Sequence, residues 1–328
     1  MKFSRETKKK IKKLYKGRDH MELTIGVWHD GESEVVHWGP DHKVVDGPDL
    51  TYPVGSICKP VTTALLAKYV SEGKLDLDAP ISEYIDGLSK RKYYPSLRKL
   101  ATHHSGFTSE PYTLLETLPY FIHMNEEGGL FHTNPYNGVP TEEEFLDILK
   151  KAKLKDKKYK YSYSNIGMSI VGYIVGQVSG KGFWDGLTEY IQDDLGLSNT
   201  FLGNVDLTGY DKKGNPCPCW HWDYGDIIAP AGALNATIPD LLEFGRLQLS
   251  GELPYLSMCH EVQASGEKGR NIGLAWQKEA DAPVDWHTGS AGAFSCWLGV
   301  NFDTNTVVAV GTNYGLVDAE GIGLSIIK

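Results

Sequence analysis

With 328 residues, 41% hydrophobic and 23% charged, the chain reads as a globular protein able to bury a substantial core without disulfide or metal staples. A net charge of −9 argues against broad binding to phosphate backbones, and no run of about 18 apolar residues is present to span a membrane. Five cysteines, an odd number, fit a reducing compartment, and the charged N-terminus has no apolar stretch of the secretory kind, so cytoplasmic residence is expected unless a leader has been removed.

Residues 3–16 place Phe3, Thr7, Ile11, Leu14 and Tyr15 at helical spacing with lysines elsewhere. A helix lying on a membrane surface has this pattern, but a first helix laid on a sheet with its lysines outward is the preferred reading. Met21–His29, an Asp30-Gly31 turn and Glu34–Trp38 predict a strand hairpin. From Thr51 the chain runs extended, then becomes helical near Ser56 with an apolar stripe of Val61, Leu65, Leu66, Tyr69 and Val70, and stops at Gly73. Pro60 falls early enough to be tolerated, because first-turn amides have no helical partner. Further helices are expected near 112–124, 141–153, 165–179, 183–194 and 238–250. The C-terminal third turns β-rich over Asn271–Gln277, Val284–Gly289, Gly292–Asn301 and Thr306–Asn313. Strands at both ends with helices between predict an α+β chain. Residues 1–60 and 265–328 would build one antiparallel sheet, and a mostly helical region, 61–264, would be inserted between them.

Three segments could carry chemistry. Ser56 and Lys59 are three apart on one helical face, with Cβ atoms about 5–6 Å apart. A serine hydroxyl attacks poorly until its proton is taken. A lysine one turn away can take it, or can hold another base ionised. The helix start also aims free N–H groups at any oxyanion formed there. An N-capping serine followed by a solvated lysine would look the same. Tyr161-Ser-Tyr163-Ser-Asn165 precedes an apolar helix. A tyrosine there can move a proton, although an ordinary pKa near 10 makes it a poor base unless a cation such as Lys59 favours the phenolate. Asn165 can hold Lys59 or a substrate carbonyl, and a helix cap with aromatic packing is the alternative. His287-Thr288-Gly289-Ser290 lies on a strand before a tight turn, where small residues admit a ligand close to the backbone. The amide of Ser290 can pair with that of Ser56 as an oxyanion hole, and His287 can contact a carboxylate or leaving group. An ordinary turn with a half-buried histidine is the other reading.

In this order, Ser56-x-x-Lys59, Tyr163-x-Asn165 and His287-Thr288-Gly289 resemble the serine β-lactamase-like family of class C β-lactamases, low-molecular-mass penicillin-binding proteins, D-aminopeptidases and related esterases. Glu72–Ile85, Leu97–Phe107, Leu195–Phe201, Pro230–Leu234 and Ile272–Trp276 are similar to later landmarks, so the resemblance covers about residues 20 to 315. It implies a β-lactamase/transpeptidase-like fold, with the site in a cleft between the sheet part and the all-α part. It also implies Ser56 as nucleophile, Lys59 as its activating neighbour, and Tyr163 as general base and leaving-group acid supported by Asn165. His287, Thr288 and Gly289 become the substrate-side strand. Tyr161 competes on paper, but only Tyr163 has an asparagine two residues on.

Histidine stands where class C enzymes usually have lysine. With an ordinary pKa near 6.5 it would be largely neutral at pH 7 and a weaker carboxylate anchor, which turns the expectation from β-lactam turnover toward an esterase, D-amidase or peptidase. The implied activity is hydrolysis of a small amide, peptide or ester through acyl-Ser56, without cofactor, metal or nucleic-acid partner. An acyltransferase, or a penicillin-binding sensor with slow turnover, is the alternative. Cys217-Pro-Cys219-Trp-His221 lacks a partner cluster for a metal and is read as a loop at the cleft mouth, touching substrate through Trp220 or Trp222. Cys58 is read as a packing residue, and Thr102-His103-His104-Ser105-Gly106 as a structural turn. Only 13 residues follow Gly315, so a closing helix would be short.

Overall fold

The computed structural model describes residues 2–45, 50–107 and 129–328. The helix expected near 112–124 therefore lies outside the described residues. Helix α1 (Arg5–Tyr15) is followed by a hairpin of β1 (Leu23–His29) and β2 (Glu32–Trp38), closed by Asp30 and Gly31, both at positive φ (46° and 94°), as a two-residue hairpin turn requires. Helices α2 (Cys58–Ser71), α3 (Leu97–Ala101), α4 (Glu142–Lys151), α5 (Asn165–Ser179), α6 (Gly182–Glu189), α7 (Ile238–Ser250) and α8 (Ser257–His260) follow. The chain closes with β3 (Val284–Ala291), β4 (Phe294–Asn301), β5 (Thr306–Thr312) and the nine-residue helix α9 (Ala319–Ile327).

The large sheet is built from both ends of the chain. Its order is β2-β1-β5-β4-β3, continued by short strands at Gln277–Lys278, Asn271–Ile272 and Ala264–Ser265, and every pairing is antiparallel. All eight residues of β4 are buried, so both faces of the sheet are covered there. On one face Trp297, Val308 and Val310 pack with Leu14 and Tyr15 of α1 and Ile322 of α9. On the other, Phe294, Cys296, Leu298 and Val300 join Leu241, Leu242 and Phe244 of α7. Helix α7, within the 61–264 stretch, thus lies on the sheet. Helix α1 takes the sheet-lying position preferred from its pattern, with Thr7, Leu14 and Tyr15 buried.

Among the helices, α2 is the hub. Eleven of its fourteen residues are buried, Lys59, Thr62 and Thr63 among them, so it is enclosed all round rather than on one stripe. Val61, Leu65 and Leu66 each contribute roughly 1.5–3 kcal/mol by leaving water. Helix α5 packs beside it. It starts where the Ser164 hydroxyl accepts the Gly167 N–H and stops at Gly180 in the left-handed region. A three-stranded sheet pairs Leu234–Thr237 with both Thr51–Pro53 and Thr200–Leu202. It sets the approach to α2 beside the Ala231-Gly232 loop, and the cleft opens at that junction.

Candidate active site

Ser56 sits one element earlier than expected. Gly55–Ile57 forms a 3₁₀ turn, and the α-helix begins at Cys58, with Pro60 in its first turn. Two close backbone approaches explain the tighter turn. Gly55 has φ +52°, and a Cβ on it would lie 2.5 Å from the Ser290 oxygen. A Cβ on Gly289 would lie 1.8 Å from the Val54 oxygen. Only glycines allow the turn to press on β3 this closely, which brings the backbones of Ser56 and Ser290 to one wall.

The spacing of Ser56 and Lys59 survives the change of helix type. Lys59 Nζ donates to Ser56 Oγ at 2.9 Å and to the Ala231 carbonyl at 2.6 Å, and its residue is fully buried. The same nitrogen lies 4.8 Å from the centre of the Tyr163 ring. The serine, the lysine and the second-segment tyrosine therefore meet around one atom.

Tyr163 is held by a residue the sequence reading set aside. His103, at φ +62°, accepts the Ser162 N–H on its carbonyl at 2.9 Å and the Ser164 N–H on Nδ1 at 3.2 Å. Its ring lies 4.5 Å from that of Tyr163. An accepting Nδ1 places the ring proton on Nε2, which is buried with no hydrogen-bond partner among the described residues. Burial, reinforced by Lys59, His287 and His104, holds this imidazole neutral, with its pKa well below the ordinary range. The sequence offered only a histidine in a turn-rich stretch after a helix. Tyr161 faces elsewhere, accepting from Gln277 Nε2 at 3.0 Å, and burial raises its pKa. Asn165 donates through Nδ2 to the Tyr136 hydroxyl at 2.9 Å, a partner not foreseen.

The third segment needs a correction of degree. His287 is buried, its Nδ1–H donates to the Thr288 carbonyl at 2.5 Å, and its ring lies 6.4 Å from that of Tyr163. Burial, and then the neighbouring Lys59, lower its pKa to about 3. The histidine expected to titrate near neutrality is uncharged throughout that range. Thr288 is half-buried, Gly289 is buried against Val54, and Ser290 is exposed at the cleft.

The cleft has a volume of about 70 Å³. Ser56, Ser290, Asn165 and the Ala231-Gly232 loop face Tyr136, Trp220 and Trp222 across it. Tyr136 stacks on Trp222 with ring centres 6.2 Å apart and meets Trp220 edge-on at 6.1 Å. Trp220 Nε1 donates to the Leu130 carbonyl at 2.8 Å, and Asn134 Nδ2 to the His221 carbonyl at 2.6 Å, which ties this wall together. Both tryptophans are at the cleft, as the loop reading proposed. Cys217 Sγ lies 3.4 Å from His132 Nε2, and Cys219 Sγ points at the Leu207 carbonyl. Cys58 is buried beside Thr62 and the Ala229 carbonyl, and burial pushes its thiol up to about 11. No charged side chain lines the cleft among the described residues; Lys59 lies buried behind Ser56. Residues 108–128 contain neither lysine nor arginine.

The sequence model of the family described as Beta-lactamase matches residues 8–321. The chain is 22% identical over 249 residues to a beta-lactamase of Pseudomonas fluorescens, covering 71% of this chain and 61% of that one. It is 26% identical over 166 residues to the D-alanyl-D-alanine-carboxypeptidase/endopeptidase AmpH of Escherichia coli (strain K12), covering 49% and 39%. The chain thus spans about 40–60% of the length of these curated relatives. A solved class C beta lactamase from Rhodobacter sphaeroides superposes with a TM-score of 0.76 at 20% identity, covering 98% of this chain and 97% of that one. The fold is that of the β-lactamases and transpeptidases, and among the described residues no helix is long and apolar enough to cross a membrane. With a family model matched across most of its length, the chain belongs to the Beta-lactamase family.

Proposed function

We propose that the protein is a serine hydrolase that forms an acyl-enzyme at Ser56 on small, uncharged esters or amides. The observation that carries this reading is the 2.9 Å contact of Lys59 Nζ with Ser56 Oγ, made beside the Tyr163 ring. In the proposed reaction Ser56 Oγ attacks the substrate carbonyl as its proton passes to the Lys59–Tyr163 pair. The amides of Ser56 and Ser290 hold the oxyanion. Tyr163 then returns the proton to the leaving alcohol or amine. A water, deprotonated along the same route, attacks the acyl carbon and releases the acid and Ser56. Residues 1–60 and 265–328, together with 61–264, act as one unit around the cleft.

The preference for uncharged substrates follows from the walls. A carboxylate entering an aromatic cleft loses its hydration and needs a cation or several donors in exchange. His287 is neutral, and the ammonium of Lys59 is already shared between Ser56 and Ala231. This favours an esterase or amidase over turnover of carboxylate-bearing β-lactams or peptides with a free C-terminus. The test is rapid mixing with p-nitrophenyl butyrate. A burst of nitrophenolate near one equivalent per chain is expected, and a linear trace accompanied by no covalent adduct contradicts the acyl-enzyme.

A further inference from the structure

The first twenty residues hold nine lysines and arginines against two acidic residues, a local charge of +7 in a chain of net −9, which leaves −16 on the remainder. Helix α1 turns that charge to one side. Thr7, Leu14 and Tyr15 face inward, with Thr7 Oγ1 donating to the Ser325 carbonyl of α9 at 3.0 Å. Arg5, Lys8, Lys9, Lys12, Lys13 and Lys16 are exposed and fall within about 140° of the helix circumference at 3.6 residues per turn. Among the described residues, two of the neighbouring acids are already engaged: Glu6 pairs with Lys10 at 3.2 Å and Asp41 with Lys43 at 2.8 Å.

Beside the cationic face lies a cavity of about 320 Å³, where Lys8, Lys12 and His42 meet an apolar wall of Phe3, Ile11 and Trp38. Val44 pairs with Trp38 through the backbone, and Val44 and Val45 are 61% and 40% exposed. Lysines grouped for solubility need no such rim. Nor would a polynucleotide, whose phosphates reward the lysines and leave the valines in water. A bilayer interface rewards both. We propose that this face docks the protein on the surface of an anionic phospholipid bilayer, with the α1 lysines at the headgroups and Phe3, Trp38, Val44 and Val45 at the acyl boundary. The helix does not embed its own apolar stripe, which the α9 packing already uses.

Flotation of the full chain with phosphatidylcholine vesicles, with and without phosphatidylglycerol, tests this independently of any catalytic activity. Binding only to the anionic vesicles is expected. A Lys8→Gln/Lys9→Gln/Lys12→Gln variant should lower partition about a hundredfold, at roughly fivefold per lysine near such a surface. Val44→Asn/Val45→Asn should weaken binding and leave its salt dependence unchanged. Both variants change exposed side chains away from Ser56, so helical content by circular dichroism and hydrolysis of a soluble ester should stay at the starting level. No partition to anionic vesicles overturns the proposal. So does binding that ignores the valine changes and is displaced stoichiometrically by duplex DNA, because that describes a polyanion patch.

Discussion

The most discriminating prediction concerns a carboxylate offered to the cleft. The perturbation is in the substrate: p-nitrophenyl butyrate against p-nitrophenyl hemisuccinate, nearly equal in size and different by one charge. Inside the cleft the carboxylate would face Tyr136, Trp220 and Trp222 with no lysine, arginine or charged histidine among the described lining residues. Leaving such a group poorly paired costs about 2–4 kcal/mol, which predicts a kcat/KM ratio of roughly 30 to 900 in favour of the neutral ester. The pH dependence carries the sharper test. His287 gains its proton only near pH 3, where a substrate carboxylate is itself largely protonated, so no window pairs the two charges. Measured with the sulfonate analogue of the hemisuccinate, whose anion takes up no proton in this range, the ratio should therefore stay flat within about twofold between about pH 5.5 and 8. An ordinary histidine in the cleft would instead raise the anionic ester's kcat/KM as pH falls through about 6.5. A ratio near one, or a ratio that titrates in that range, refutes the reasoning about His287 and the cleft walls.

Three further outcomes are expected. Tyr163→Phe should lower kcat by about 10²–10⁴ while Tyr161→Phe, which loses a contact with Gln277, leaves it within a few-fold; steady-state kinetics decide, and the reverse pattern would move the proton carrier to Tyr161. His103→Phe keeps a ring against Tyr163 but strips the acceptor from the Ser164 N–H, so kcat should fall about tenfold or more with KM little changed, and an unaltered kcat would remove His103 from any positioning role. Because the folded pKa of His287 lies below its unfolded value, its contribution to stability is intact above about 6.5 and is lost as pH falls toward 3, by up to roughly 1.4 kcal/mol per pH unit. Urea midpoints should fall further for wild type than for His287→Gln as pH drops below about 6.5, and parallel curves would mean that His287 is not buried neutral.

What the sequence made legible was local. Helices α5 and α7 run over 165–179 and 238–250 as expected, because each has a hydroxyl N-cap (Ser164, Thr237), an apolar body and a left-handed glycine stop (Gly180, Gly251) within its own stretch. Strands β3, β4 and β5 were equally readable from β-branched and aromatic content around an obvious turn. The unreadable features depend on partners far along the chain. Ser56 lies in a 3₁₀ turn because Gly55 meets Ser290, more than two hundred residues on. His103 became part of the site because residues 162–164 fold back across it. The charge of His287 is a property of its burial and of Lys59, and neither is written in the His-Thr-Gly triplet. The strands at Thr200–Leu202 and Leu234–Thr237 are too short to show alternation and exist through their pairing with each other and with Thr51–Pro53.

The proposed mechanism turns on acylation of Ser56. Acid quenching during turnover of p-nitrophenyl butyrate, followed by intact mass and peptide mapping, tests it most directly. One butyryl group per chain is expected, located on Ser56, absent from a Ser56→Ala variant that keeps its fold and accumulating at slower turnover in Tyr163→Phe. A butyryl group mapped to another residue, or the same adduct at wild-type rate in Ser56→Ala, would contradict it.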